Sequence, residues 1–268
     1  GTPAGPGKLL APSLVGSARI QSHPDYIVKT LLHGMTGEIE KETYAGVMMA
    51  PMKSNTDEWI AAVASFVRAN FENESSPISP ADVARIRKET ASQKGMYKFD
   101  ELWSSIPKLL PPNDRWKVTA SNTAPVRKGS SAAPKGAFTF EGWTTGTTQK
   151  QGMWFQVELP QVATISEIQF RSPPISRGWR EGSPPPIQTC PRGYDLEISS
   201  DGKTWTKIIS NGEATGANNR IRFDPVKAKF LRLTLTKSEE IVHGERRGQP
   251  FDYEVAWTMR EMKVFGFL

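Results

Sequence analysis

The chain has 268 residues, 37% of them hydrophobic and 23% charged, with eight tryptophans, a profile that excludes disordered and collagen-like classes. Thirty-four basic against 28 acidic residues leave a formal charge of +6. The basic side chains are scattered, with Arg246-Arg247 the densest cluster, so the basic stripe that nucleic-acid binding requires is missing. No stretch approaches the roughly 18 apolar residues of a membrane span. Residues 1–7 lack the apolar core of a signal peptide, and the first residue is not Met. The reading is therefore a piece of something longer, with any targeting segment upstream. A single cysteine, Cys190, rules out an intrachain disulfide and any Cys-based metal site.

In chain order, three stretches differ in pattern. Residues 8–73 predict short helices and loops. Ser22 caps a first helix with Pro24 and Asp25 in its opening turn, Tyr26–Leu32 forms the apolar body, and Gly34 ends it. A loop carrying Met48, Met49 and Met52 follows. A second helix opens at Asn55-Thr56-Asp57-Glu58, with Trp59, Ile60, Val63, Phe66 and Val67 forming one apolar stripe. Residues 74–115 predict a connector with one helix, capped by Ser79, with Pro80 in its first position and Asp82 in its first turn, running to about Gln93. Pro107, Pro111 and Pro112 then break regular structure.

From residue 116 the apolar pattern switches to period two, as in half-buried strands. Trp154–Leu159, Thr164–Phe170, Tyr194–Ser199, Trp205–Ile209, Arg220–Phe223, Lys229–Leu235 and Arg260–Phe265 all alternate. Asp201-Gly202 between two such runs is a strong hairpin signal. About seven short strands with turns between them predict a sandwich or barrel.

Within this stretch, Trp143-Thr144-Thr145-Gly146, Gly152–Pro160, Pro191-Arg192-Gly193-Tyr194, the Ser-x-Asp-Gly-x-x-Trp run ending at Trp205, Pro225–Leu233 and Trp257–Gly266 stand in one order and spacing. On these residues the segment resembles the discoidin family, also called the coagulation-factor type C domain. The resemblance implies an antiparallel jelly-roll sandwich with ligands held by loops at one end. Leu10–Ser17, Leu32-His33-Gly34, Gly37, Tyr44, Gly46, the Met-rich loop and the helix from Asp57 to Phe71 resemble the distal half of a small class I cytochrome c. The haem-attachment motif C-x-x-C-H of that family is absent here and is expected upstream. The pairing of the two resembles the C-terminal end of large multidomain proteins of planctomycete-type bacteria, which implies upstream dehydrogenase-like domains and an extracytoplasmic (periplasmic or cell-surface) location. The expected fold class is multidomain α + β. It comprises an all-α cytochrome c-like remnant at residues 1–73, a linker with one helix at 74–115, and a discoidin-like β-sandwich at 116–268.

The cytochrome resemblance implies haem c in the full-length parent, with none covalently bound in this chain. Its second axial ligand would be Met49 if the Met-x-x-Met pattern around Pro51 is the anchor, or Met48 if Gly46-Val47 is; a thioether there raises the haem potential. All three methionines pack equally well as core filler. His33 reads as a helix-end residue suited to the dipole, and His23 and His243 as surface residues. No nucleophile elbow and no P-loop occurs. Cys190 lacks a histidine partner and reads as a small inert thiol, and Glu239-Glu240 as solvated charge. The loop 138–142, with Glu141 its one acid, is too poor in oxygens for calcium.

In the sandwich, Trp179 between Arg177 and Arg180, and Arg246, Arg247 and Tyr253 in the stretch from His243, combine aromatic faces with charged groups. That is the pattern sugar recognition uses. The discoidin resemblance places Trp143, Trp154, Trp205 and Trp257 on core positions and implies that they pack there. The sequence thus predicts a non-catalytic module recognising a glycan or another surface ligand, attached to an electron-transfer remnant. Two alternatives stay open: a haem-binding electron-transfer protein in full-length form with the sandwich as spacer, and a purely structural spacer.

Overall fold

The computed structural model describes residues 9–46, 48–125, 133–177, 183–214, 216–246 and 248–267, the side chain of Arg246 excepted. The chain divides into two compact units, Gly1–Lys108 and Leu109–Leu268.

The first unit carries helices α1 (Ala18–Gln21), α2 (Asp25–His33), α3 (Asp57–Ala69), α4 (Pro80–Glu89) and α5 (Phe99–Ser104). Its three short strands, β1 (Met35–Thr36), β2 (Met48–Met49) and β3 (Tyr97–Lys98), form a small sheet in the order β2-β1-β3, so the unit is not all-α. Residues 74–115 do not behave as a linker. Val83 and Ile86 of α4 and Phe99, Leu102 and Ile106 in and beyond α5 bury with Leu31, Leu32 and Ile60 in one core. Ser79 and Asp82 close a reciprocal capping box at the start of α4. Ser22 does not cap α2: the helix opens after Pro24, and the Ser22 hydroxyl donates to Arg19 O. Thr56 does cap α3, accepting from the Trp59 amide. The buried side of α3 is Ile60, Ala61, Ala64 and Arg68, whereas Trp59 and Phe66 face solvent, so the predicted stripe is rotated. His23 is also not a surface residue. It is buried, and its Nδ1 accepts from the Asp25 amide.

The second unit is a sandwich built from β4 (Lys108–Leu110), β5 (Lys117–Ala120), β6 (Trp143–Thr148), β7 (Trp154–Arg171), β8 (Tyr194–Ser199), β9 (Thr206–Gly212), β10 (Asn218–Leu235), β11 (Val242–Arg246), β12 (Gln249–Tyr253) and β13 (Ala256–Phe267). The predicted runs 154–159 and 164–170 are one 18-residue strand, as are 220–223 and 229–235. β7 and β10 pair along their length, with register shifts between Arg222 and Val226 and between Ala228 and Phe230. There they change partners. The first half of β7 pairs with β5 and the second half with β13, while the end of β10 pairs with β8. Two long strands thus pass from one layer to the other at bulges, the standard way to turn a sandwich corner. Pro160 and Pro225, which lack an amide donor, sit beside these irregularities.

Between the layers Trp143, Phe155 and Trp257 are fully buried, with Trp143 4.8 Å from Phe155 and 5.2 Å from Trp257. Trp154 and Trp205 are not core residues. Both are half-buried, and the Arg232 guanidinium lies between them, 3.9 Å from the Trp205 ring and 5.4 Å from that of Trp154. Among the described residues, no helix is long and apolar enough to cross a membrane.

Candidate functional site

At one end of the sandwich, several loops are tied together by a buried hub that sequence reasoning missed. Gln149 is fully buried. Its amide nitrogen donates to Cys190 O at 3.0 Å, its backbone amide donates to Val255 O, and its carbonyl accepts from the Glu239 amide. Arg192 bridges the same loops through Glu239 at 3.0 Å and Gln188 O at 3.2 Å, so Glu239 is not solvated charge but a paired, half-buried group. The Glu254 carboxylate accepts from both the amide and the hydroxyl of Thr148. A glutamine in a Thr-Gln-Lys run gives no sequence signal, because its role comes only from the loops it meets. Cys190 is buried in this hub, its thiol donating to Ala214 O, and burial pushes its pKa up.

From this base projects the hairpin β11–β12, five residue pairs from Val242↔Tyr253 to Arg246↔Gln249, turning at Gly248 with φ +75°. Alternation puts Tyr253 and Phe251 on one face and His243 and Asp252 on the other. The two rings meet edge to face at 4.8 Å, and the Tyr253 hydroxyl donates to Glu245 O at 3.1 Å. Gly244 makes this arrangement possible, since a Cβ there would lie 3.2 Å from the Tyr253 ring. Phe251 is 38% exposed. On the opposite face His243 Nδ1 and Asp252 Oδ1 are 2.7 Å apart, both exposed.

Of the other predicted ligand-loop residues, Arg246 lies in β11, its side chain undescribed, and Arg247 lies outside the described residues. Trp179 and Arg180 also fall outside them; a bridge between Ile175 and Ile187 draws together the two limbs of their loop. At the other end of the sandwich, the Asp201 carboxylate accepts from the amides of Lys203 and Thr204 and from the Ser199 hydroxyl, which hold its pKa down at about 2. These bonds tie the tight turn together.

The first unit holds a second feature, an apolar cavity of about 680 Å³. Met48, Met49 and Met52 all line it, with Leu31, Met35 and Val63. Met49 is half-buried against the core and Met48 is exposed. His33 stands apart, its Nε2 2.7 Å from the Thr90 hydroxyl and its ring against Tyr97. Burial and the nearby Lys53 and Arg87 charges depress its pKa. No group of three or more His, Cys, Asp or Glu residues able to hold a metal occurs among the described residues.

No curated protein matches the chain in sequence. Solved structures that align with the chain include CpGH89CBM32-5 from Clostridium perfringens in complex with GalNAc-β-1,3-galactose, at 19% identity, 57% of this chain, 96% of that chain and a TM-score of 0.39. The family 32 CBM of C. perfringens NanJ in complex with galactose aligns at 16% identity over 60% and 99% of the two chains, TM-score 0.39. Chitosan-binding module 2 of a chitosanase/glucanase from Paenibacillus sp. IK-5, in complex with chitotriose, aligns at 18% identity over 57% and 97%, TM-score 0.37. The assignment rests instead on the sequence, where the F5/8 type C domain family matches residues 117–246. Residues 117–246 of this chain are an F5/8 type C domain.

Proposed function

We propose that the chain is a non-catalytic recognition protein that works outside the cytoplasm and whose sandwich binds a glycan at the hairpin end. The observation that carries this reading is the Phe251–Tyr253 pair, an exposed ring against a half-buried one, fixed on one face of a two-stranded hairpin. An aromatic face takes the apolar side of a sugar ring, and a few placed polar groups take its hydroxyls. The Tyr253 ring is held by its own hydroxyl bond, so little conformational entropy is lost on binding. Trp179 and Arg180, and Arg246 and Arg247, are proposed to complete the surface. A glycan array probed with the wild-type chain and with Tyr253→Ala tests the reading. Binding that the variant loses while its melting temperature holds supports it; no binding to any saccharide by a folded wild-type chain refutes it.

The cavity in the first unit favours a second reading for the full-length protein, haem-based electron transfer with the sandwich as a spacer beside upstream dehydrogenase-like domains. Its volume and apolar walls suit a cofactor, and its thioethers are soft ligands suited to haem iron. The group would supply one-electron chemistry. Met49, the more buried of the two candidates, would be the axial ligand, with Met48 the alternative. In a haem-loaded full-length protein, Met49→Ala is expected to lower the reduction potential; an unchanged potential would exclude Met49.

A further inference from the structure

The cavity in the first unit has walls that water would not normally meet. Leu10, Leu14, Val15, Met48 and Phe71 are all exposed and all line it. Large apolar side chains gathered around one concavity mark a binding site. Among the described lining residues, one carries a full charge: Arg19. Its guanidinium is buried, which is costly for a cation without strong partners. Its present partners are weak, with 3.2 Å to Glu40 Oε2 and 3.3 Å to Ser13 O. Charge-assisted bonds of a guanidinium run near 2.7–2.9 Å, and the group has five donors to offer. Glu40 is itself half in solvent, with 53% of its side chain exposed, so displacing it from Arg19 costs little. Tyr26 lines the same wall, and burial pushes its phenol up to about 12, which keeps it a neutral donor.

We propose that this cavity binds an apolar molecule ending in a carboxylate, its body against the methionines and leucines and its carboxylate on Arg19 in place of Glu40. The inference rests on the cavity of this chain alone, independent of glycan binding and of covalent haem attachment. Two sources share the chemistry, an elongated lipid acid and a flat tetrapyrrole acid. The test uses the 268-residue chain and two probes, an 18-carbon fluorescent polyene fatty acid and metal-free protoporphyrin IX, each beside its methyl ester. Saturable one-to-one binding of either acid, with its ester at least about tenfold weaker, supports the proposal and names the source. Arg19→Gln is expected to weaken the acid to the level of its ester. Glu40→Gln, at an exposed position, is expected to tighten the acid and leave the ester unchanged. Absence of saturable binding by both acids overturns the proposal, as does equal binding of acid and ester.

Discussion

Replacing Glu167 by glutamine tests the packing logic of the sandwich most severely. Glu167 lies on β7, its side chain 2% exposed, and both of its oxygens are taken: Oε1 by Arg220 Nε at 2.7 Å and Oε2 by Arg222 Nε at 2.6 Å. The Gln169 amide donates to the same carboxylate. The pairing is built into the strands, since Arg222 stands directly opposite Glu167 and Arg220 opposite Gln169. Glu167→Gln keeps the volume but leaves two largely buried guanidiniums facing a neutral group. Removing one partner of a buried ion pair costs about 3–5 kcal/mol. For a unit of this size each kcal/mol lowers the melting temperature by about 2–4 °C, so the expected drop is roughly 6–20 °C. Six of the eight tryptophans lie beyond Leu109, so urea unfolding followed by tryptophan fluorescence reports mainly on this unit. Replacing all three residues together, Glu167→Leu with Arg220→Met and Arg222→Met, is expected to recover most of the loss, because the whole triad carries the desolvation cost. A loss below about 1 kcal/mol for Glu167→Gln would put the triad with ordinary surface pairs, contrary to a buried, mutually dependent triad.

Gly244→Val should push the Tyr253 ring off its site and weaken saccharide binding about tenfold or more, read by calorimetric titration, with β11–β12 still paired. Asp201 has its pKa lowered from 3.8 to about 2, so its carboxylate supports the β8–β9 turn above pH 4. That support is expected to fade as pH falls from about 4 through about 2, read by the emission of the nearby Trp205, and Asp201→Ala should abolish the pH step. Cys190, buried with a raised pKa, should resist a maleimide at pH 7 in the native protein and react once urea opens the fold. Trp143→Ala, which empties the centre of the Trp143–Phe155–Trp257 cluster, should cost about 3–5 kcal/mol in urea melts.

The strands from residue 116 were legible because period-two alternation survives in each half of a long strand. That β7 and β10 are each continuous was not legible, because Pro160 and Pro225 look like breaks in sequence and become bulges only when a partner strand is present. Trp154 and Trp205 resembled core residues, yet a guanidinium from β10 covers their faces on the outside of the sheet, a contact no local pattern encodes. In the helical unit the cap at Ser79 and the start of α3 around Asn55–Glu58 were readable from local spacing. The orientation of α3 was not, since alanines at 61 and 64 take the tight contacts and leave Trp59 and Phe66 to solvent. At the hairpin end, the Phe251–Tyr253 pairing, the Gly244 gap and the Gln149 hub depend on hairpin register and on loops far apart in sequence, which no local pattern carries.

Recognition at the hairpin end of the sandwich leaves a signature in the backbone amides. Titrating the array's best-bound saccharide into isotope-labelled protein and following backbone amide signals tests it directly. Shifts are expected to concentrate in residues 242–253 and in the loop between Ser172 and Pro191, with the turn at Ser200–Thr204 silent. Shifts centred on that turn, or on the sheet face around Arg232, would contradict it.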